Sequence, residues 1–174
     1  MHKVGGVRRD IEREHVPYIL TRLDEFVKQL DMLKGAVLDD PVLHARLKGI
    51  GILTKEAAIE YSALGPTARA SGVDIDVRRD HPYAAYPQVK FSVITQPEGD
   101  VFAKAVVRIL EMYESASIVR QCLDGMRDGP IDSNPKDIPP GEGIGVIEAP
   151  RGECFHYVKS DGTNSPVRHK IRAP

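Results

Sequence analysis

The sequence predicts an α+β fold that is mainly helical: a helical bundle with a small antiparallel β element at its C-terminal end. Three observations predict it. Apolar residues recur at helical spacing over two long stretches within residues 1–127. A stretch rich in Pro, Gly and Asp, residues 128–143, then breaks the pattern. Beyond it, residues 144–174 carry two extended runs, with the hairpin turn signal Asp161-Gly162 after the second.

Each element has its own local cause. Val4-Gly5-Gly6-Val7-Arg8-Arg9-Asp10 reads as a loop, its paired glycines suited to close approach of another segment. A long amphipathic helix follows, with Pro17 in its first turn and Ile19, Leu23, Phe26, Leu30, Leu33 and Val37 on one face. Asp40-Pro41 starts a shorter helix through Leu43 and Leu47. Thr54 is the N-cap of another, through Ala57, Ala58 and Tyr61, which Gly65-Pro66 ends. Residues 65–86 form a charged, structured loop, and Val89 to Ile94 an extended segment. The second long helix runs from about Gly99 to Met126, with Phe102, Val106, Ile109, Tyr113, Ala116 and Leu123 on one face. Gly145-Val-Ile-Glu148 and Cys154-Phe-His-Tyr-Val158 are strands, and Val167 to Ile171 the returning one. The whole is one domain, residues 1–174, or a piece of a larger one.

Composition narrows the function. Hydrophobic residues are 41% and charged residues 28% of the chain, ordinary for a globular protein. Basic and acidic side chains number 24 and 25, for a net charge of −1, so no global field favours nucleic acid, and no nucleic-acid partner is expected. No apolar run has the length of a membrane span. The N-terminus has no apolar signal core, so a cytoplasmic setting is expected, with Cys122 and Cys154 as buried thiols. These cysteines form no CxxC and stand at no metal-ligand spacing. None of the six histidines stands at ligand spacing either; His156 and His169 are placed to face each other across the hairpin.

Two stretches carry the candidate chemistry. Within Gly65-Pro-Thr-Ala-Arg-Ala-Ser-Gly-Val-Asp-Ile-Asp-Val-Arg-Arg-Asp80, three arginines, Arg69, Arg78 and Arg79, and three aspartates, Asp74, Asp76 and Asp80, sit within twelve residues. Crowded carboxylates push one pKa upward and make a proton carrier; the structural alternative is a loop tied down by arginine–carboxylate pairs. Glu148-Ala-Pro-Arg-Gly152 closes a strand. Pro150 stiffens the bend, Gly152 permits close approach, and Arg151 is presented at a rigid corner, to grip an anion or to pair with a neighbouring acid. Gly141-Glu-Gly-Ile-Gly145 is not a phosphate cradle, because it follows a Pro-rich loop and precedes a strand.

Taken in order, Gly5-Gly-Val-Arg-Arg-Asp10, the 65–80 string, His81-Pro-Tyr-Ala-Ala-Tyr86, Glu148-Ala-Pro-Arg-Gly152, Ser160-Asp-Gly-Thr-Asn-Ser-Pro166 and Lys170-Ile-Arg-Ala-Pro174 resemble the large subunit of energy-converting [NiFe] hydrogenases, the CO-induced and ferredoxin-linked types. The framework is shared with the quinone-site subunit of respiratory complex I, and the resemblance spans essentially the whole chain. It implies a nickel–iron centre in the intact subunit, held by two CxxC pairs that this chain lacks. No metal is therefore expected on the chain itself. Pro150, Arg151 and Gly152 would face the cyanide-bearing iron, with Arg151 as the catalytic candidate. Arg69, Asp74, Asp76, Arg78 and Arg79 would lie between that cavity and the membrane arm, on a coupling or proton path.

The implied partners are an Fe–S small subunit, membrane subunits and, indirectly, a ferredoxin-type donor, in a complex peripheral to the cytoplasmic membrane. Proton reduction coupled to ion movement is the leading expectation, favoured by Arg-Arg-Asp10, Arg-Ala-Ser-Gly72 and the 78–86 wording. The alternatives are the quinone branch and a non-catalytic structural or assembly piece. The chain reads as an excerpt, inactive alone, exposing apolar surface through which it could homodimerise.

Overall fold

The structure, a computed structural model, describes residues 2–174. Six helices precede a three-stranded sheet, as the mainly helical α+β reading expects. The helices are α1 (Val16–Leu38), α2 (Pro41–Leu47), α3 (Lys55–Glu60), α4 (Gly65–Arg69), α5 (Val77–Asp80) and α6 (Val101–Asp124). A two-stranded ribbon, β1 (His2–Lys3) and β2 (Gly6–Val7), opens the chain. The C-terminal sheet has the order β3 (Gly141–Ala149), β4 (Gly152–Ser160), β5 (Arg168–Arg172), antiparallel throughout.

The two long helices pack against each other in opposite directions: Arg120 meets Asp24 at 2.6 Å, and the Tyr113 hydroxyl meets Asp31 at 2.6 Å. The buried stripe of α1 is rotated from the one expected. Leu30 is buried, worth about 1.5–3 kcal/mol, with Leu23, Val27 and Val37 half-buried beside it. Phe26 and Leu33, placed on that face by spacing, are exposed together with Met32. The helix carries two apolar stripes, and α6 covers one of them.

Capping fixes the ends as the sequence implies. Asp40 caps α2 and Thr54 caps α3. Asp100 caps α6 by accepting from Ala103 at 2.7 Å, and it also accepts from Gly49 at 2.8 Å, so one buried carboxylate ties the α2–α3 connection to the start of α6. The core between these helices is small-residue packing: Ala58, Ala68 and Val73 in one cluster, Ala70, Ala103 and Val107 in another.

Several expectations are corrected. Gly65-Pro66 does not merely stop α3; it opens α4, with proline in the first turn where its missing N–H costs nothing. Residues 65–86 are not all loop, since α5 forms where Asp76 caps it. The sheet begins at Gly141 rather than 144, and the N-terminal loop contains the β1–β2 ribbon. Residues 89–94 pair with no strand; Gln121 of α6 takes a strand's place, accepting from Lys90 N and donating to Lys90 O. Cys122 is exposed and Cys154 only half-buried, so neither is a core thiol. Among the described residues no helix is long and apolar enough to cross a membrane.

Candidate functional site

The 65–80 stretch and the 148–152 stretch meet backbone to backbone. The β3–β4 turn is two residues, Pro150-Arg151, because Ala149 pairs with Gly152. Gly65 packs on it so closely that an added Cβ would lie 2.2 Å from the Arg151 carbonyl oxygen. Gly65 has φ +63° and Gly152 φ +134°, so glycine is required on both sides of the contact.

Beneath this contact lies a buried ionic hub. α4 is short and fully packed, and it projects Arg69, only 2% exposed, into the space between α5, α6 and β3. Its Nε donates to Glu111 Oε1 at 2.6 Å, and its Nη2 to Glu148 Oε1 at 2.9 Å. Nη1 donates to the Ile75 carbonyl at 3.1 Å and reaches Asp76 at 3.5 Å. Asp76 also accepts two side-chain bonds from Arg78, at 2.6 and 2.9 Å, and caps α5 through Arg78 N. The Arg78 guanidinium lies 4.9 Å from the Phe91 ring centre and 6.0 Å from that of Tyr86, a cation–π wall on the far side. The Tyr83 hydroxyl accepts from Glu148 N at 3.1 Å and pins the end of β3.

Two guanidiniums thus face three carboxylates, leaving one negative charge in excess when all are ionised. The acids respond differently. Burial pushes Asp76 up, but the hydrogen bonds and charge of Arg78 outweigh it and hold its carboxyl below the ordinary range. Burial pushes Glu148 up, and the pull of Arg69 does not cancel it. Burial also raises Tyr83.

Two cavities adjoin the hub. A larger one, about 400 Å³, is lined by Arg108, Glu111, Met112 and Ser115 from one face of α6, by Arg69 and Arg78, and by Glu148, Ala149 and Pro150. A smaller one, about 180 Å³, lies under Asp76, Asp80, His81 and Glu153 and again reaches Arg69 and Glu148. Arg151 and Pro150 are themselves exposed. Arg151 lines a third hollow of about 300 Å³ with Arg108 and Arg172, and the Arg172 guanidinium is fixed by donating to the Ser62 carbonyl at 2.8 Å.

Of the residues named from sequence, Arg69, Asp76 and Arg78 come together in the hub, and Pro150, Arg151 and Gly152 sit at its edge. Asp74 and Arg79 do not join it: they pair at 2.7 Å on the exposed side of the same loop, with Asp80 at 2.8 Å from Arg79. Sequence reasoning missed Glu111, Tyr83, Phe91 and Arg108, and it quoted Glu148 without giving it a role. A glutamate on the buried side of α6 was the available signal for Glu111. His156 and His169 do face each other, 3.0 Å apart, with Cys154 at 3.4 Å from His156.

The model for "Respiratory-chain NADH dehydrogenase, 49 Kd subunit" matches residues 1–138 and 133–174. The chain belongs to this family. Among curated relatives, an NADH-quinone oxidoreductase subunit of Anaeromyxobacter sp. (strain K) is 41% identical over 98% of this chain and 47% of the relative. Its counterpart in Rhizobium etli (strain CIAT 652), also named as a subunit of NADH-quinone oxidoreductase, is 37% identical over 201 aligned positions, 99% of this chain and 50% of the relative. The carbon monoxide-induced hydrogenase of Rhodospirillum rubrum is 38% identical over 173 positions, 98% and 48%. The membrane-bound sulfane sulfur reductase, an archaeal respiratory membrane complex, contains a chain of the same fold, with TM-score 0.89, 34% identity, and 98% of this chain covering 48% of that one. The chain spans about half the length of the relatives it matches.

Proposed function

We propose that this chain is part of the acceptor-side subunit of an oxidoreductase complex peripheral to a membrane, and that the acceptor is a quinone. The observation that carries this reading is the 49 kDa-subunit match along the whole chain. The NADH-quinone oxidoreductase relatives, which carry "quinone" in their names, support it. The partners would be an Fe–S subunit that delivers electrons and membrane subunits that anchor the complex.

The geometry suits proton-coupled reduction of a polar acceptor. A quinone carbonyl gains negative charge as it is reduced, and a guanidinium stabilises that charge with fixed donors. Arg108 lines both the 400 Å³ cavity and the hollow that also holds Arg151 and Arg172. The hub would hold the Pro150–Gly152 corner in place and supply protons beside it.

A nickel–iron centre does not fit the donors of this chain. Cys122 lies on α6 and Cys154 on β4, both as free thiols. Among the described residues the one cluster of three possible metal ligands is Glu12, Glu14 and His15, exposed carboxylates and an imidazole far from the hub in sequence.

One observation favours a second reading, the hydrogenase branch. The hydrogenase aligns over 173 positions with this 174-residue chain, almost without gaps. The Rhizobium etli relative needs 201 positions, so at least 27 have no counterpart here. The two pieces of the family match meet within residues 133–138, which points to the 128–143 loop as the place of the difference.

The deciding experiment tags this chain in its source cell, purifies the assembly, and offers it quinone, protons or polysulfide under a low-potential donor. Quinone reduction without stoichiometric nickel is expected. Hydrogen evolution with stoichiometric nickel would replace the first reading by the second. A pure assembly inert toward all three would favour the structural role.

A further inference from the structure

Two cavities that adjoin the hub share part of their lining. The larger is bounded by α6 and the end of β3, Pro150 included; the smaller is bounded by Asp76, Val77, Asp80 and His81 at α5, by Leu64 and Gly65, and by Glu153 of β4. The side chains lining both are those of Arg69 and Glu148. Arginine does not release its proton in a protein. A proton that crosses between these spaces through a side chain of their shared wall must therefore cross on Glu148. We infer that Glu148 is the proton-transfer carboxylate of this subunit, taking protons on the His81–Asp80–Glu153 side and giving them up on the Arg108–Ser115 side.

The surroundings of Glu148 fit that task. Arg69 faces it from α4, Asp76 and Arg78 from α5, Glu111 and Arg108 from α6, and Glu153 stands opposite it on β4. Arg69 grips Oε1 and leaves Oε2 outside that bond. Its backbone is pinned through the Tyr83 hydroxyl, so exchange needs only a change at the carboxyl group. The hub carries three carboxylates against two guanidiniums, so one added proton neutralises it. Asp76 is not the site for that proton, because Arg78 holds both of its oxygens. Burial favours the protonated form of Glu148 against the pull of Arg69.

The step is a proton transfer with no change of oxidation state. An O–H bond forms on Glu148 as a donor on the smaller-cavity side loses its proton. That bond then breaks as the reduced acceptor on the larger-cavity side takes the proton. The inference rests on the proton-coupled reading above but not on which acceptor is used.

The test uses the tagged assembly carrying Glu148→Gln and Glu148→Asp. Acceptor reduction in E148Q should fall on the order of 100-fold, while electron uptake from the donor in the absence of acceptor stays at the wild-type rate. E148D should recover much of the turnover with a displaced pH profile. Wild-type turnover and pH profile in E148Q would overturn the inference, and so would equal loss of electron uptake and turnover in both variants.

Infrared titration of the 174-residue chain keeps this separate from the quinone reading. A protonated-carboxyl band should persist above the ordinary glutamate range, and E148Q should lack it. Absence of that band from the wild-type chain contradicts the inference whatever the acceptor. A band present in an assembly that does not reduce quinone sustains it and removes only the quinone.

Discussion

The loop of residues 65–80 uses one chemical vocabulary twice, with opposite consequences. Arg69, Arg78 and Asp76 face inward, their side chains 2%, 13% and 0% exposed. Arg79 and Asp74 face outward, 42% and 62% exposed, at a similarly short separation. Water screens the outer pair, so it contributes little. The inner set has left water behind and depends on its partners. Distance alone does not distinguish the two; burial does. The difference also separates a candidate for proton chemistry from a surface ion pair.

The largest expected effect comes from removing the centre of the inner set. Arg69→Ala leaves three carboxylates facing each other without their shared donor, and should cost about 3–5 kcal/mol in urea unfolding at neutral pH. Gly65→Ala tests the contact between the two motifs. It forces an L-residue into φ +63° with its Cβ 2.2 Å from the Arg151 carbonyl oxygen. A loss of about 3 kcal/mol is expected, with a changed sheet environment visible by NMR around residues 149–153.

The pH dependence of stability should show two opposite signs within the hub. Asp76 is held below its ordinary value of 3.8, so its contribution is present above that value and is lost as pH falls through its folded value. Glu148 is raised above 4.5, so its contribution is full below 4.5 and is lost as pH rises through its folded value. The stability of E148Q relative to wild type should therefore improve from about pH 4 to about pH 8, measured by chemical unfolding across that range. A constant difference would contradict the burial argument. The smallest effect belongs to the outer pair: Arg79→Ala should change stability by less than about 1 kcal/mol, and salt at about 1 M should reduce that change further.

Much of this was legible in the sequence, for reasons tied to particular residues. Asp40, Thr54 and the two long periodic stretches announce their helices because capping and periodicity are local. Gly152 announced close approach, but Gly65 read only as the end of a helix, and 87 positions separate the two along the chain. Spacing put Phe26 and Leu33 beside Leu30 on the buried face of α1; Leu30 is buried, but Phe26 and Leu33 are exposed and Val27 is half-buried in their place. Two apolar stripes on one helix cannot be ranked without the partner. Asp74 and Asp76 read alike in sequence, and a two-residue step around the start of α5 sends one outward and the other inward. Glu111 and Glu148 went unassigned because their importance comes entirely from Arg69, which reaches both across the fold.

A double-mutant cycle between Arg69 and Glu148, using R69M and E148Q at neutral pH, is the most direct test. R69M should cost much less when residue 148 is already neutral, with a coupling of about 1–3 kcal/mol. The same cycle on Arg79 and Asp74 should give about 0–1 kcal/mol. Additive losses at Arg69 and Glu148 would mean that the hub is no electrostatic unit, and the proton-transfer role of Glu148 would lose its physical basis.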